Sequence, residues 1–372
     1  MRNKLQILSG LLFLSMAFVL LSILLITSCT PSLPVTPSSP ATQPSSAFSP
    51  TPPSVVGNYW QKLNTPSYGH GLNIKFINAD TGVILGDTLI NLASTHQYNN
   101  IILKTFDGGK TWDSIYLPIT IFGGILPQNI FQYPYNPDIL FLSTSNGLYR
   151  SKDGGYHWLP TDTINKKASA LISFINPVTG ISSGNGLLKT TDSGNNFIPT
   201  YSSVGYSVLQ LTNSLTGYAA GGSAFDGSNS GILAKTTTAG SNWYSLSYPL
   251  SQQIYSMSFI NDNIGYISVN QDSADFITTY KWGTAIYKTV DGGASWSIVN
   301  NKIWDSTGSH ANSIFFKDEQ EGFFTGITGI YHTKDGGKTW LREYASGVHF
   351  CFPDTHTGYA YDGNGNILKR QF

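Results

Sequence analysis

Apolar and polar positions alternate along most of this chain, and the alternating runs recur as matched sets. One set is GLNIKFIN (71–78), NIFQYP (129–134), ALISFIN (170–176), SVLQLTN (207–213), IYSMSFIN (254–261), NSIFFKD (312–318) and VHFCFPD (348–354). A second opens on Gly followed by an apolar or aromatic residue: Gly82-Val83, Gly180-Ile181, Gly217-Tyr218, Gly265-Tyr266, Gly322-Phe323 and Gly358-Tyr359, with Asp138-Ile139 in that place in the second repeat. A third is IILKT, GLYRS, GLLKT, ILAKT, AIYKT and GIYHT. Side chains alternate across a strand with a period of two, so each run predicts a strand with one buried face.

The third set runs into a motif that recurs every 39 to 53 residues. Its copies are KTFDGGKTW (104–112), RSKDGGYHW (150–158), KTTDSGNNF (189–197), KTTTAGSNW (235–243), KTVDGGASW (288–296) and HTKDGGKTW (332–340). An Asp at the head of a turn accepts bonds from its own backbone N–H groups. The glycines after it supply positive φ at little steric cost. The Ser or Thr before the Trp adds a local bond, and the Trp turns a large apolar face under the next strand. Asp107, Asp153, Asp192, Asp291 and Asp335, with Trp112, Trp158, Trp243, Trp296 and Trp340, are therefore read as structural staples. A carboxylate repeated in every unit is more readily a turn holder than a metal or catalytic group. Thr238 in place of Asp, and Phe197 in place of Trp, predict looser turns in the fourth and third copies.

This motif resembles the Asp-box, or BNR repeat, whose pattern is Ser/Thr-x-Asp-x-Gly-x-Thr-Trp. With a strand on either side of the box and two upstream, each unit reads as a four-stranded antiparallel propeller blade. Seven first-strand runs face six boxes. The seventh unit ends at NILKRQF (366–372), a third strand with no fourth, and YWQKLNTP (59–66) resembles the strand after the first box, TWDSIYLP (111–118). The expected fold is all-β, a seven-bladed β-propeller in which residues 58–66 complete the last blade and close the ring. Closure removes open sheet edges, so a monomer is expected. Over residues 58–372 the repeats resemble the photosystem II stability and assembly factor-like family, with xyloglucanase-type propellers, sialidases and sortilin ectodomains more distant in repeat type. The resemblance implies a fold and does not carry a photosynthetic role by itself.

Composition agrees. Only 11% of residues are charged, 38 are Gly, and net charge is zero. Without Arg2 and Lys4, 19 basic face 21 acidic residues, so no basic field is expected to hold nucleic acid. That family is associated with an arginine-rich patch, which this arginine-poor chain lacks in sequence.

The N-terminus reads as an address. Residues 1–28 form a basic start, an apolar run from Leu5 and a close on Ile26-Thr27-Ser28, followed by Cys29. The last four positions resemble a bacterial lipobox, which implies cleavage before Cys29 and lipidation there, a stable anchor when two or more acyl chains are attached. An uncleaved signal-anchor helix is the alternative. Thr30 is not the aspartate associated with inner-membrane retention, so an outer-membrane or cell-surface location is expected for a Gram-negative source. Residues 29–57 are rich in Pro, Ser and Thr and read as a disordered stalk of roughly 80 Å at most. Cys351 falls in a predicted inner strand as a small hydrophobe.

The box-free face is expected to carry function, because the long segments Asp87–Asn100, Gly221–Gly231 and Asn270–Gly283 are read as loops there. Trp282 and Trp304 are the two tryptophans outside the boxes and the Trp60 position. With Tyr280, Tyr98, His70 and His310 they form a candidate aromatic platform for a sugar or peptide; packing under their own loops is the other reading. Arg150, Arg342 and Arg370, the arginines of the mature chain, are placed apart by sequence, which speaks against a sialidase clamp. The histidines lack metal-ligand spacing, so no metal, cofactor or catalytic residue is assigned. The leading expectation is a surface-tethered, non-catalytic propeller that binds a protein or glycan partner. The alternative is a glycoside hydrolase using two carboxylates drawn from Asp87, Asp226, Asp272, Asp275, Asp305 and Asp362.

Overall fold

The alternating runs become 28 strands in seven four-stranded antiparallel sheets. These come from a computed structural model that describes residues 59–66, 71–92, 95–117, 127–144, 147–161, 171–184, 186–201, 205–222, 231–247, 253–272, 282–305, 313–326, 328–347 and 349–372, all within the unit Ser49–Phe372. The signal and stalk readings, with Cys29, lie outside these residues.

Blade one is β2 (Gly71–Phe76), β3 (Gly82–Leu92), β4 (Thr95–Thr105) and β5 (Asp113–Leu117). Blades two to four run from Pro127 to Pro160, Ile172 to Tyr201 and Tyr206 to Ser245, as β6–β9, β10–β13 and β14–β17. Blade five is β18 (Ile254–Phe259), β19 (Gly265–Asp272), β20 (Trp282–Thr289) and β21 (Ser297–Asp305). Blade six is β22 (Ser313–Phe316), β23 (Gly322–Gly326), β24 (Gly329–Thr333) and β25 (Leu341–Tyr344). Blade seven joins β26 (His349–Cys351), β27 (Thr357–Tyr361) and β28 (Ile367–Gln371) to the N-terminal β1 (Gln61–Lys62). The closure expected from the Trp60 sequence is present: Gln61 pairs with Lys369 and Lys62 with Leu368, and Leu63 N–H donates to the Ile367 carbonyl at 2.8 Å.

The core lies between blades. Each of seven hydrophobic clusters among the described residues straddles one joint. One such cluster sets Val83, Leu85, Ile102 and Ile115 of blade one against Ile130, Leu140, Leu142 and Trp158 of blade two. In five blades the glycine at the start of the second strand makes room for the ring six residues earlier. A Cβ at Gly82, Gly265 or Gly322 would sit 2.4 to 2.6 Å from the ring of Phe76, Phe259 or Phe316. Those rings then stack on the second-strand aromatic of the preceding blade, Phe76 on Tyr359 at 3.5 Å, Phe259 on Tyr218 at 3.6 Å and Phe316 on Tyr266 at 3.5 Å.

Polar clamps ride on the same joints. Tyr218 and Tyr359 hydroxyls donate to the Asp262 and Ala79 carbonyls of the next blade at 2.8 and 2.6 Å. A cation near the end of the third strand reaches the next blade's turn as well in every blade but the sixth: Lys369 bonds the Gly108 carbonyl at 3.1 Å and Lys235 the Gly292 carbonyl at 3.1 Å.

The boxes are the staples that the motif implied. Asp107 accepts from the N–H groups of Lys110 and Thr111, both at 2.9 Å, and from the Thr111 hydroxyl at 2.6 Å. Thr105 forms a second hub that the motif reading missed, accepting from Gly109 N–H at 2.8 Å and donating to Asp107 at 2.9 Å. The third turn is not looser: Asp192 keeps bonds from Asn195 and Asn196 N–H at 3.0 and 2.9 Å, and Phe197 is buried. The fourth is thinner. One Thr238 hydroxyl accepts from Asn242 N–H at 2.9 Å, and the buried Trp243 Nε1 has no partner.

Asp87–Asn100 is corrected from a loop to a paired ribbon, with Asp87 opposite Asn100 through Leu92 opposite Thr95. No Gly or Pro interrupts 87–92, so the ladder continues past the blade. Trp282 and Trp304 likewise lie in strands, in the lengthened end of blade five, where Trp282 pairs with Asp305 and Gly283 with Trp304.

Two predictions follow from the turns. Ala239 occupies the left-handed region at φ 53°, where four other boxes have Gly. Ala239→Gly should stabilise the protein by about 1 kcal/mol, and Gly108→Ala, at φ 72° with Lys369 Nζ 2.5 Å from the added Cβ, should destabilise it; urea midpoints measure both. Separately, the Ser295 hydroxyl and its N–H hold Asp291 down to about 2. Its folded pKa lies below its unfolded value near 4, so its contribution is present above about pH 4 and is lost as pH falls toward 2. In Asp291→Asn, the melting temperature should fall less steeply across that window.

Candidate functional site

The first-to-second turns and the boxes share one face because hydrogen bonds tie them together within each blade. Gly108 N–H donates to the Asp80 carbonyl at 2.8 Å, Ala239 N–H to Leu215 at 2.8 Å and Gly292 N–H to Asn263 at 2.8 Å. Each first-to-second turn is itself an Asx-turn: Asn213 Oδ1 accepts from Leu215 and Thr216 N–H at 2.7 and 2.8 Å, and Asn261 Oδ1 from Asn263 and Ile264 N–H, both at 2.9 Å. The Asn that ends first-strand runs such as SVLQLTN and IYSMSFIN was visible in sequence, but its role as a turn holder was not recognised.

Where these turns meet across blades four, five and six, an open groove of about 670 Å³ forms on the box face. Its walls are Thr212 and Asn213 of blade four, Ile260 to Ile264 and Val290 of blade five, and Glu319 of blade six. Asp262 is held in place by the Thr212 hydroxyl at 2.5 Å and the Asn213 amide at 2.5 Å. Lys288 bonds Glu319 at 2.7 Å. Both carboxylates are thus occupied, and the groove offers the exposed Asn263 side chain beside apolar surface from Ile260, Ile264 and the exposed Val290. The neighbouring Leu215 is exposed too. Such a lining suits an extended peptide, with an amide for its backbone and apolar seats for side chains.

The aromatic platform expected on the opposite face is not described at the level of side chains. His70, Tyr280 and His310 lie outside the described residues, and Tyr98, Trp282 and Trp304 lie in β4, β20 and β21. Of the candidate carboxylates, Asp226 and Asp275 also lie outside. Asp362 is corrected from a loop aspartate to a buried turn staple. It accepts from Asn364 and Asn366 N–H at 2.8 and 3.1 Å and from the Asn366 amide at 2.6 Å. It does in the second-to-third turn of blade seven what the box aspartates do elsewhere. Asp272, Trp282 and Asp305 fall in one register row across β19, β20 and β21.

The three arginines do not converge. Arg150 bonds Asn195 of blade three, Arg342 bonds the Thr328 and Ala345 carbonyls, and Arg370 pairs with Glu343. Among the described residues no group of three or more His, Cys, Asp or Glu is arranged to hold a metal ion. Cys351 is in the inner strand β26 as expected. Its Sγ accepts from Phe76 N–H at 3.3 Å, and burial pushes its thiol pKa up, which keeps it a thiol.

Comparison with known proteins agrees with this architecture. Residues 234–346 match the family described as photosynthesis system II assembly factor YCF48. No curated protein matches the chain in sequence. Among solved structures, the chain is similar to YCF48 bound to D1 peptide at 18% identity and a TM-score of 0.62, over 88% of this chain and 99% of that one. It is similar to the GH74 xyloglucanase of Xanthomonas campestris at 16% identity and a TM-score of 0.55, over 73% of this chain and 46% of that one. A third is the extracellular domain of the putative one component system BT4673 of B. thetaiotaomicron, at 10% identity and a TM-score of 0.54, over 84% of this chain and 40% of that one. The repeats, the seven blades and these matches together make the chain an Asp-box seven-bladed β-propeller that resembles the photosystem II assembly factor family.

Proposed function

We propose that this protein is a non-catalytic scaffold that binds an extended segment of a partner protein, held at the cell envelope through lipid on Cys29. The observation that carries the reading is the box-face groove, whose carboxylates are satisfied internally while Asn263 and the apolar Val290 stand exposed along it. A solved propeller of similar fold is described with a bound D1 peptide, which supports a peptide as the class of ligand. The rest of the box face adds exposed apolar side chains at Phe106, Tyr135, Tyr156 and Val178, surface a protein partner can cover.

A peptide array probed with the full chain in detergent tests this. Peptides should bind, and Val290→Asp, an exposed position, should weaken them at least tenfold without moving the melting temperature. Equal binding by the variant would remove the groove from the account.

A glycoside hydrolase is the second reading, favoured by the row of Asp272, Trp282 and Asp305. One strand, β20, lies between the aspartates, so two inter-strand spacings separate them, a backbone distance of about 10 Å. Release of reducing sugar ends from a glycan panel, abolished by Asp272→Asn or Asp305→Asn, would favour it over the scaffold.

The tether has its own test. Cys29→Ala should abolish radiolabelled palmitate incorporation and move the protein to the soluble fraction. A variant that stays with membranes would point to an uncleaved anchor helix.

A further inference from the structure

The groove across blades four to six is satisfied in hydrogen bonds but not in charge. The titratable residues in its lining are Asp262 and Glu319, both acidic. They differ in what holds them. Glu319 faces Lys288 at 2.7 Å, an ion pair that offsets its charge. Asp262 is held by neutral donors: the Thr212 hydroxyl and the Asn213 amide, both at 2.5 Å, and the Thr216 hydroxyl at 3.3 Å. Neutral donors fix a carboxylate in place, but they do not cancel its negative charge.

The nearby cations leave that charge uncompensated. Lys235 bonds the Gly292 carbonyl at 3.1 Å and lies 5.0 Å from the centre of the Tyr218 ring. Burial lowers its pKa, and Asp262 and Asp291 both pull it back up, so one ammonium serves two carboxylates. Asp291 is exposed and is itself held by neutral groups, the Thr289 hydroxyl and the N–H and hydroxyl of Ser295. Asp318 is exposed beside Glu319 and accepts from the Gln320 and Glu321 N–H groups at 2.8 and 2.7 Å. Along the groove Asp262, Asp291, Asp318 and Glu319 therefore stand against Lys235 and Lys288. Farther out on blade six, Lys317 pairs with Glu321 at 3.2 Å, and Lys334 and Lys338 flank Asp335 in the box.

Three bonds already fix Asp262, so a ligand cation meets a preorganised anion and no side chain has to be ordered to receive it. Ile264 and Val290 lie in the same lining. Resting on the groove as the peptide site, we propose that Asp262 selects a basic segment of the partner. That segment is an extended stretch that sets a Lys or Arg side chain against this carboxylate and an apolar side chain on Ile264 and Val290. An acidic segment brings like charge against Asp262 and is disfavoured. The bonds to blade four also make Asp262 a clamp between two blades. A clamp is indifferent to the charge of a ligand, so ligand charge is the readout that separates the two roles.

The test uses three sets of extended peptides that share one pattern of apolar residues and carry Lys, Gln or Glu at the polar positions. Their binding to the full chain in detergent is read by fluorescence anisotropy at low and at high salt. At low salt Lys peptides should bind at least tenfold more tightly than Glu peptides, with Gln peptides between, and high salt should shrink the gap. Asp262→Asn should bring Lys and Gln peptides within about twofold of each other. Asp318→Asn should keep most of the gap; it places in that turn the residue that Asn213 and Asn261 already supply in theirs. A Lys preference that survives in a folded Asp262 variant overturns the proposal. Val290→Ser removes an apolar seat without adding charge. If it weakens all three sets while the native protein binds Lys and Glu peptides alike, the groove stands and selection by Asp262 is overturned. If no set binds, or if neither Val290→Ser nor Asp262→Asn alters binding, the groove reading falls and the proposal with it. The native protein alone decides if the Asp262 variant does not fold: Glu peptides that bind as tightly as Lys peptides at low salt overturn the proposal.

Discussion

The packing of one blade's second strand against the next blade's first strand is the contact on which the rest of the structure depends. A single four-stranded sheet of this size cannot bury both faces. Here each sheet covers its neighbour, and the aromatic stack with its glycine seat repeats wherever the Phe and Tyr positions are filled. The buried tyrosine hydroxyls and third-strand cations would be costly without partners. Each finds a backbone carbonyl or side chain in the adjacent turn, so the polar groups align neighbouring blades while the apolar ones hold them together.

That division of labour explains where binding surface is left. Box aspartates and the Asx-turn oxygens spend their hydrogen-bonding capacity within their own blade. What remains open is the space between adjacent turns, and the groove across blades four to six is such a space. The sixth joint departs from the common design, and β1 and β28 pair beside it to close the ring. Without a seventh box, His332, Glu343 and Arg370 satisfy one another across the seam.

Much of this fold was legible in the sequence because its signals repeat. Seven first-strand runs against six boxes, with Trp60 supplying the missing position, were enough to place β1 beside β28. The box aspartates were read as turn holders and are. Pairing beyond the repeat was less legible. Asp87–Asn100 looked like a loop because it exceeded the repeat length, yet nothing in it stops a ladder. Phe197 did not loosen its turn, because the turn's bonds come from Asp192 and backbone N–H groups rather than from the indole. The groove and the seam cluster were not legible. Both depend on pairs more than 45 apart in sequence, such as Asn213 with Asp262 and Trp60 with Glu343, and no local pattern encodes which turns become neighbours around a ring.

If closure by the N-terminal strand makes the seven blades one cooperative unit, removing that strand should be felt everywhere. Equilibrium urea unfolding of the chain with and without residues 59–66 measures this most directly. The account predicts that the deletion replaces one cooperative transition with a broad or multistep one at lower urea. An unchanged midpoint and slope would contradict it.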